Sequence, residues 1–471
     1  MKLRRRPLLA GLAAALALHP ARASTAPLET LHACNRLGYG PRPGDLAQGG
    51  RWLERLEQQL QPQPLPAALQ QRLDARPAVN LAERAEAFRQ LQRQQRAEDE
   101  NPRRELIRQA LHEAAEARLL RALASPNQLE ERLVDFWFNH FNVFFDKGLC
   151  RMLVADYEAR AIRPHVFGRF RDLLGAVATH PAMLFYLDNA QSTRAGFQGS
   201  GGGGGGSRGL NENYARELME LHTLGVGAGY GQQDVTELAR VLTGWTFRPR
   251  DLQFVFDPRR HDENPKTWLG QTVPGRGRAQ GDWVLDQLAR HPATAQRIAF
   301  KLGQHFLADE PPAAAVAAAR AAFLASDGDL RATVAALLRH PEARDPARYG
   351  AQFKTPQRFV ISMLRACALT PEDWTPTLQA LRALGQPLFG CVTPDGYKTV
   401  RSAWLDPEAL ARRAELAARV AQRARLGAEA AEQLLETLGP AIGSAARAAI
   451  AQEPPQLRAA LILGSPDFQN C

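Results

Sequence analysis

Apolar residues recur every three or four positions along most of the chain, and runs alternating at period two are scarce. The pattern predicts an all-α fold, a multi-helix globular array with a minor β-hairpin. In "NENYARELMELHTLGV" (211–226), a step of about 100° per residue gathers Leu210, Tyr214, Leu221 and Leu224 on one side, with Leu218 at its edge. Glu217 falls among them, and His222 lies at the margin of the same face. Glu212, Arg216 and Glu220 line another side as a solvated face, with Glu212 and Arg216 in the favourable i,i+4 order.

A second stretch repeats the oddity. In "LEERLVDFWFNHFNVFFD" (129–146), Leu133, Phe136, Trp137, Val143 and Phe144 define an apolar face with His140 near its centre, while Asp135, Asn139 and Asn142 point away. A carboxylate facing a core costs several kcal/mol unless paired or protonated. Contact between Glu217 and His140 would answer that cost, either as a buried clasp or as the heart of a site. The next stretch, "GYGQQDVTELARVLTGWTF" (229–247), reads as a helix capped at Gly231 that buries Val235, Leu238, Ala239 and Leu242. Strand character is confined to "LQFVFDP" and "KTWLGQTVP", a hairpin whose connection crowds Arg259, Arg260, His261, Asp262 and Lys266 together.

Apolar helices run into Ser-Pro or His-Pro at several points, which suits a stop followed by a new first turn. His180, His291 and His340 share that hinge position, so a structural role is favoured over metal ligation, and Ser125 and Ser465 are natural caps. The polyglycine run at 199–207 reads as a flexible loop.

Composition changes the picture mainly at the N-terminus. Residues 1–23 show a basic head, a short apolar stretch and Ala21-Arg22-Ala23, the pattern of a signal peptide cut after Ala23. Arg5-Arg6 resembles a twin-arginine export signal, with a general secretory signal as the alternative. The expected location is therefore exported, periplasmic or extracellular, with no membrane anchor after cleavage. Without the leader the chain holds 54 Lys and Arg against 49 Asp and Glu, too slight an excess to indicate nucleic acid as a partner. Five widely spaced cysteines with no C-x-x-C read as mostly buried thiols with at most one bridge. H-E-x-x-H, G-x-S-x-G and the dinucleotide fingerprint are missing, so metal and cofactor stay unknown.

"GLNENYARELMELHTLGV", "FDPRRHDENPKTWLG", "HPAMLFYLDNAQS", "FKTPQRFVISMLRA", "LGQPLFGCVTPDGY" and "GSPDFQ" together resemble the bacterial domain of unknown function 1800 family, from about Leu31 to Phe468. The resemblance implies one helical family domain over 24–471 and an exported protein. It brings no established activity. It also implies a partner, because genes of the family often neighbour those of a second exported family resembling sulfatases. Its motifs match at Asn213, Arg216, Glu217, His222, Trp245, Arg260, His261, Asp262 and Lys266, while Gly231 stands where the family pattern usually shows Thr.

Two expectations follow. In the first, the protein is a hydrolase-like enzyme with a polar cleft around His140, Glu217 and His222, and Arg260, His261 and Lys266 clamp an anionic substrate. In the second, it is a non-catalytic partner or scaffold for the sulfatase-like protein, docking through the charged hairpin.

Overall fold

Helices dominate the computed structural model, which describes residues 3–5, 26–75, 80–93, 101–198 and 209–471. The polyglycine run lies outside the described residues. So does the leader, apart from Leu3–Arg5, a short strand antiparallel to Leu369–Pro371.

Two helices run through the centre. Gln128–His140 buries residues on every side, including Glu131 and Arg132. Pro356–Ala366 buries its whole length, including Gln357, Arg358 and Arg365. A fully enclosed helix is usually apolar all round. These two instead carry polar groups inward, where they meet: Gln357 Nε2 donates to Asp135 Oδ1 at 3.1 Å. Thr355 and Pro356 start the second helix, Thr355 Oγ1 accepting from the Arg358 amide at 3.4 Å. Pro292–Phe306, Ala313–Ala325 and Leu330–Arg339 pack in succession beside them, and Pro407–Arg423 pairs with Pro455–Gly464. Buried apolar side chains from Ala33 to Phe468 form one contiguous cluster.

The His-Pro hinges have a common structure. The Nδ1 of His180 accepts from the Ala182 amide at 3.1 Å, that of His291 from Ala293 at 3.1 Å, and that of His340 from Glu342 at 3.4 Å. Each imidazole is a helix N-cap, with proline supplying the first turn. Ser465 caps the last helix in the same way.

Three expectations need correction. The helix read over 129–146 stops at His140, so Val143 and Phe144 belong to the irregular segment that follows. The helix read through 247 is Gln232–Leu242, because Thr243 leaves helical geometry and Gly244 takes φ +81°. The two strand stretches do not pair with each other. Phe254–Phe256 pairs with Trp245–Phe247, and Thr267–Trp268 with Gln271–Thr272, each closing the shorter loop available to it. All five cysteines are free thiols, and burial raises the pKa of Cys34 to about 11 and of Cys150 to about 12, which keeps both unreactive.

Burial also holds the enclosed histidines neutral. It lowers His180, His291, His140 and His305 from the usual value, and His32 and His222 to about 3. A histidine whose folded pKa is depressed takes up a proton more readily unfolded, so its contribution is fully present above about 6.5 and declines as pH falls below it. The urea midpoint is therefore expected to fall steadily between pH 7.5 and pH 5; a midpoint that stays level or rises would contradict these neutral buried rings.

Candidate functional site

Asn213–Glu217 is α-helical, but Leu218–His222 continues it as a π turn. Bonds running i→i+5 take in one residue more per turn, so the α-helical stepping fails just after Glu217. Thr223 Oγ1 closes the turn on the Leu218 carbonyl at 2.6 Å, and the Gly225 amide bonds Met219 at 3.0 Å. His222 is thereby carried into the core, fully buried against Phe141, while Glu217 moves to a partly exposed margin.

The structure brings His140 and His222 together, with ring centroids 6.3 Å apart. Their link is the backbone: His140 Nε2 lies 3.0 Å from the His222 carbonyl. A carbonyl only accepts, so the proton is on Nε2 and Nδ1 is left as an acceptor with no partner. Both ring nitrogens of His222 are also unpartnered. No hydrogen bond or ion pair joins Glu217 to His140 among the described residues, so the expected clasp is absent. Burial, with Glu220 and Asp395 nearby, raises the Glu217 carboxyl above its usual range.

His140 opens onto a cavity of about 310 Å³ walled by the helix Pro292–Phe306 and the loop before Arg401. Arg297 and Lys301 stand one turn apart on that helix. Arg297 Nε donates to the Leu221 carbonyl at 3.1 Å, whereas Lys301 makes no hydrogen bond or ion pair among the described residues. Burial, reinforced by the Arg297 charge, pushes the Lys301 amine down to about 7. From the loop come Asp395, Tyr397 and Lys398, with Lys398 Nζ 2.5 Å from Asp395. Among the described residues, no three His, Cys, Asp or Glu converge as a metal site.

Asn139 and Asn142, which pattern alone turned away from the core, are what fix this loop. The Asn139 amide gives Nδ2 to the Tyr397 carbonyl and takes the Tyr397 amide on Oδ1, both at 2.8 Å. Asn142 Nδ2 donates to the carbonyls of Cys391 and Thr393 at 2.9 Å. Gly396, at φ +72°, lets the loop lie directly on Asn139, where a Cβ would collide with the Asn139 carbonyl.

The hairpin cations go elsewhere. His261 is fully buried, its Nδ1 donating to the Thr243 carbonyl at 2.8 Å. Lys266 is enclosed, with Nζ on the carbonyls of Asp262 and Asn264 and on Gln280 Oε1. Arg260 Nη2 donates to the Ala190 carbonyl at 2.8 Å and borders a separate groove that shares no lining residue with the His140 cavity. The three brace the hairpins and are not gathered around His140.

Lys301, Arg297 and Asp395 escaped sequence reasoning. "RIAFKLGQHF" reads as an ordinary amphipathic helix, and Asp395 lies in "LGQPLFGCVTPDGY", which carried only the family resemblance.

Residues 32–470 match the model of the family described as Protein of unknown function (DUF1800), and the chain belongs to that family. No curated protein and no solved structure matches it.

The pinned loop gives a direct expectation. Gly396→Ala should cost about 1–3 kcal/mol through overpacking, and Asn139→Ala a similar amount through unmade bonds. Urea denaturation measures both, and wild-type stability in both variants would show that the loop is not held this way.

Proposed function

We propose that this member of the DUF1800 family is a hydrolase acting on an anionic substrate in the cavity that His140 borders. The observation that carries the reading is the unpartnered Lys301 amine held beside Arg297 in that cavity. Like charges one helical turn apart disfavour each other, and the partly exposed Lys301 ammonium faces the cavity with Arg297 beside it and no acceptor in hydrogen-bond reach among the described residues. An amine near pKa 7 is matched to general-base work at neutral pH.

In this reading Lys301, as the free amine, takes a proton from water as that water attacks the substrate. Glu217, which lies outside the cavity lining near Asp395 with its pKa raised, supplies the leaving group's proton through cavity water. Arg297 and Lys398 hold the negative charge. His140 and His222 are positioning residues: the His222 carbonyl orients His140, and the His222 ring stays in the core. Export to the periplasm or beyond belongs to the same proposal and rests on the leader pattern. The alternative, a scaffold for a sulfatase-like exported protein, would need a docking surface other than His261 and Lys266, which are buried.

A panel of nitrophenyl carboxylate, phosphate and sulfate esters tests the reading. Wild-type turnover of at least one is expected, with kcat in Lys301→Ala lower by about 10²–10⁴-fold while the fold is kept. The wild-type rate should rise with pH through about 7, following Lys301. Turnover indifferent to Lys301→Ala and Glu217→Gln, or none across the panel, would contradict it.

A further inference from the structure

Behind the His140 cavity lies a smaller chamber of about 50 Å³, and Asn139, Gln304, His305, Tyr397, Lys398 and Thr399 line both. Its remaining wall comes from the two central helices, from Arg118, and from the segments around Gln352 and Leu388. Three guanidinium groups border it, Arg118, Arg132 and Arg358, together with the Lys398 ammonium, against one carboxylate, Asp135. That carboxylate is already committed, accepting from Arg118 Nη2 at 2.6 Å and from Gln357 at 3.1 Å. Arg118 is further balanced by Glu158 at 2.8 Å.

The other two guanidiniums have no carboxylate within hydrogen-bond distance, and the ionisable group beside them is the buried Cys471 thiol, whose pKa Arg358, Arg36, Lys354 and Arg132 together lower against the effect of burial. Arg132 is 2% exposed and gives one Nη to the His305 carbonyl at 3.2 Å, but its Nε has no partner, and Asp135 reaches it only at 4.0 Å. Arg358 is 5% exposed and meets only neutral acceptors, Gln352 Oε1 at 2.9 Å and the Asn35 carbonyl. The Nε2 of His305, at the wall between the chambers, is also unpartnered. Enclosing guanidinium without a counter-charge is costly, and a planar donor fork is suited to oxyanions.

We infer that the inner chamber is an anion subsite, which takes the compact oxyanion end of a ligand, a carboxylate, phosphate or sulfate group, between Arg132 and Arg358. Its volume admits such a group and little more, so the rest of the ligand would extend past His305 into the outer cavity. That the anion belongs to a substrate rests on the hydrolase reading; that the chamber holds one does not.

Calorimetric titration of the full chain with acetate, inorganic phosphate and inorganic sulfate, at constant ionic strength, tests this. One saturable site with Kd of about 1 mM or tighter is expected for at least one anion, and which anion binds sorts planar from tetrahedral ligands. Arg358→Gln should weaken it about tenfold or more. Because that change could also impair folding, Lys398→Ala, on the exposed loop, provides a second variant, expected to weaken binding severalfold. The absence of a saturable site for all three anions, or binding indifferent to both Arg358→Gln and Lys398→Ala, would overturn the inference. Anion binding without ester turnover would leave it standing while removing the hydrolase reading, and turnover without anion binding would do the reverse.

Discussion

A guanidinium taken out of water costs several kcal/mol unless its donors and its charge are both answered, and this chain encloses Arg36, Arg118, Arg132, Arg358, Arg365 and Arg413. Much of the architecture follows from how that cost is met. On one side of the helix Gln128–His140, Arg118 and Arg163 share Glu131, Asp135 and Glu158 in a closed ionic network. On the other, the acceptors are neutral. Arg365 lies on the carbonyls of Gly40 and Leu123, and Arg413 on Gln469 and the Lys354 carbonyl. Burial lowers Arg358 and Arg365 to about 9 and Lys354 to about 7. Around the two chambers Arg132, Arg358 and Lys301 likewise lack a close carboxylate, and their grouping beside one pair of adjoining cavities is why this region, and not the hairpin, is the candidate site.

The same region is where the backbone departs from regular geometry. The π turn Leu218–His222 sends a histidine into the core and offers its carbonyl to His140, which in turn faces the cavity. Opposite, the loop carrying Asp395 and Lys398 is held by Asn139 at the end of a helix, by Asn142 just beyond it, and by a glycine that permits close approach. Rigid positioning of polar groups around a partly enclosed space is the arrangement that binding and catalysis require.

The sequence was legible where periodicity or a local rule governs. Helical spacing gave the fold class, and the proline hinges correctly pointed to structural histidines, because cap geometry depends on neighbours in the chain. His140 and His222 could be singled out as polar groups on apolar faces, and the structure does bring them together. Glu217 was misplaced because the face was centred on Leu210, Leu221 and Leu224, whereas the buried side runs through Tyr214, Ala215, Leu218, Met219 and His222. Asn139 and Asn142 read as outward-facing polar positions, since the pattern of one helix does not reveal that a second helix or a loop covers its polar side, and for the same reason Arg132 and Arg358 drew no reading. Lys301 was missed because its perturbation comes first from enclosure by segments distant in the chain and only then from Arg297, four residues before it. The crowded cations of the hairpin suggested a ligand clamp, yet His261 and Lys266 satisfy neighbouring carbonyls instead.

The central claim is that the His140 cavity holds an amine poised to give up its proton near neutrality. The chain has six lysines, few enough for each to be followed by NMR after carbon-13 labelling, with Lys301→Arg assigning the signal. A Lys301 midpoint close to 7, moving upward when Arg297 is replaced by Ala, is the result this account predicts. A midpoint near the ordinary lysine value of about 10.4 would contradict it.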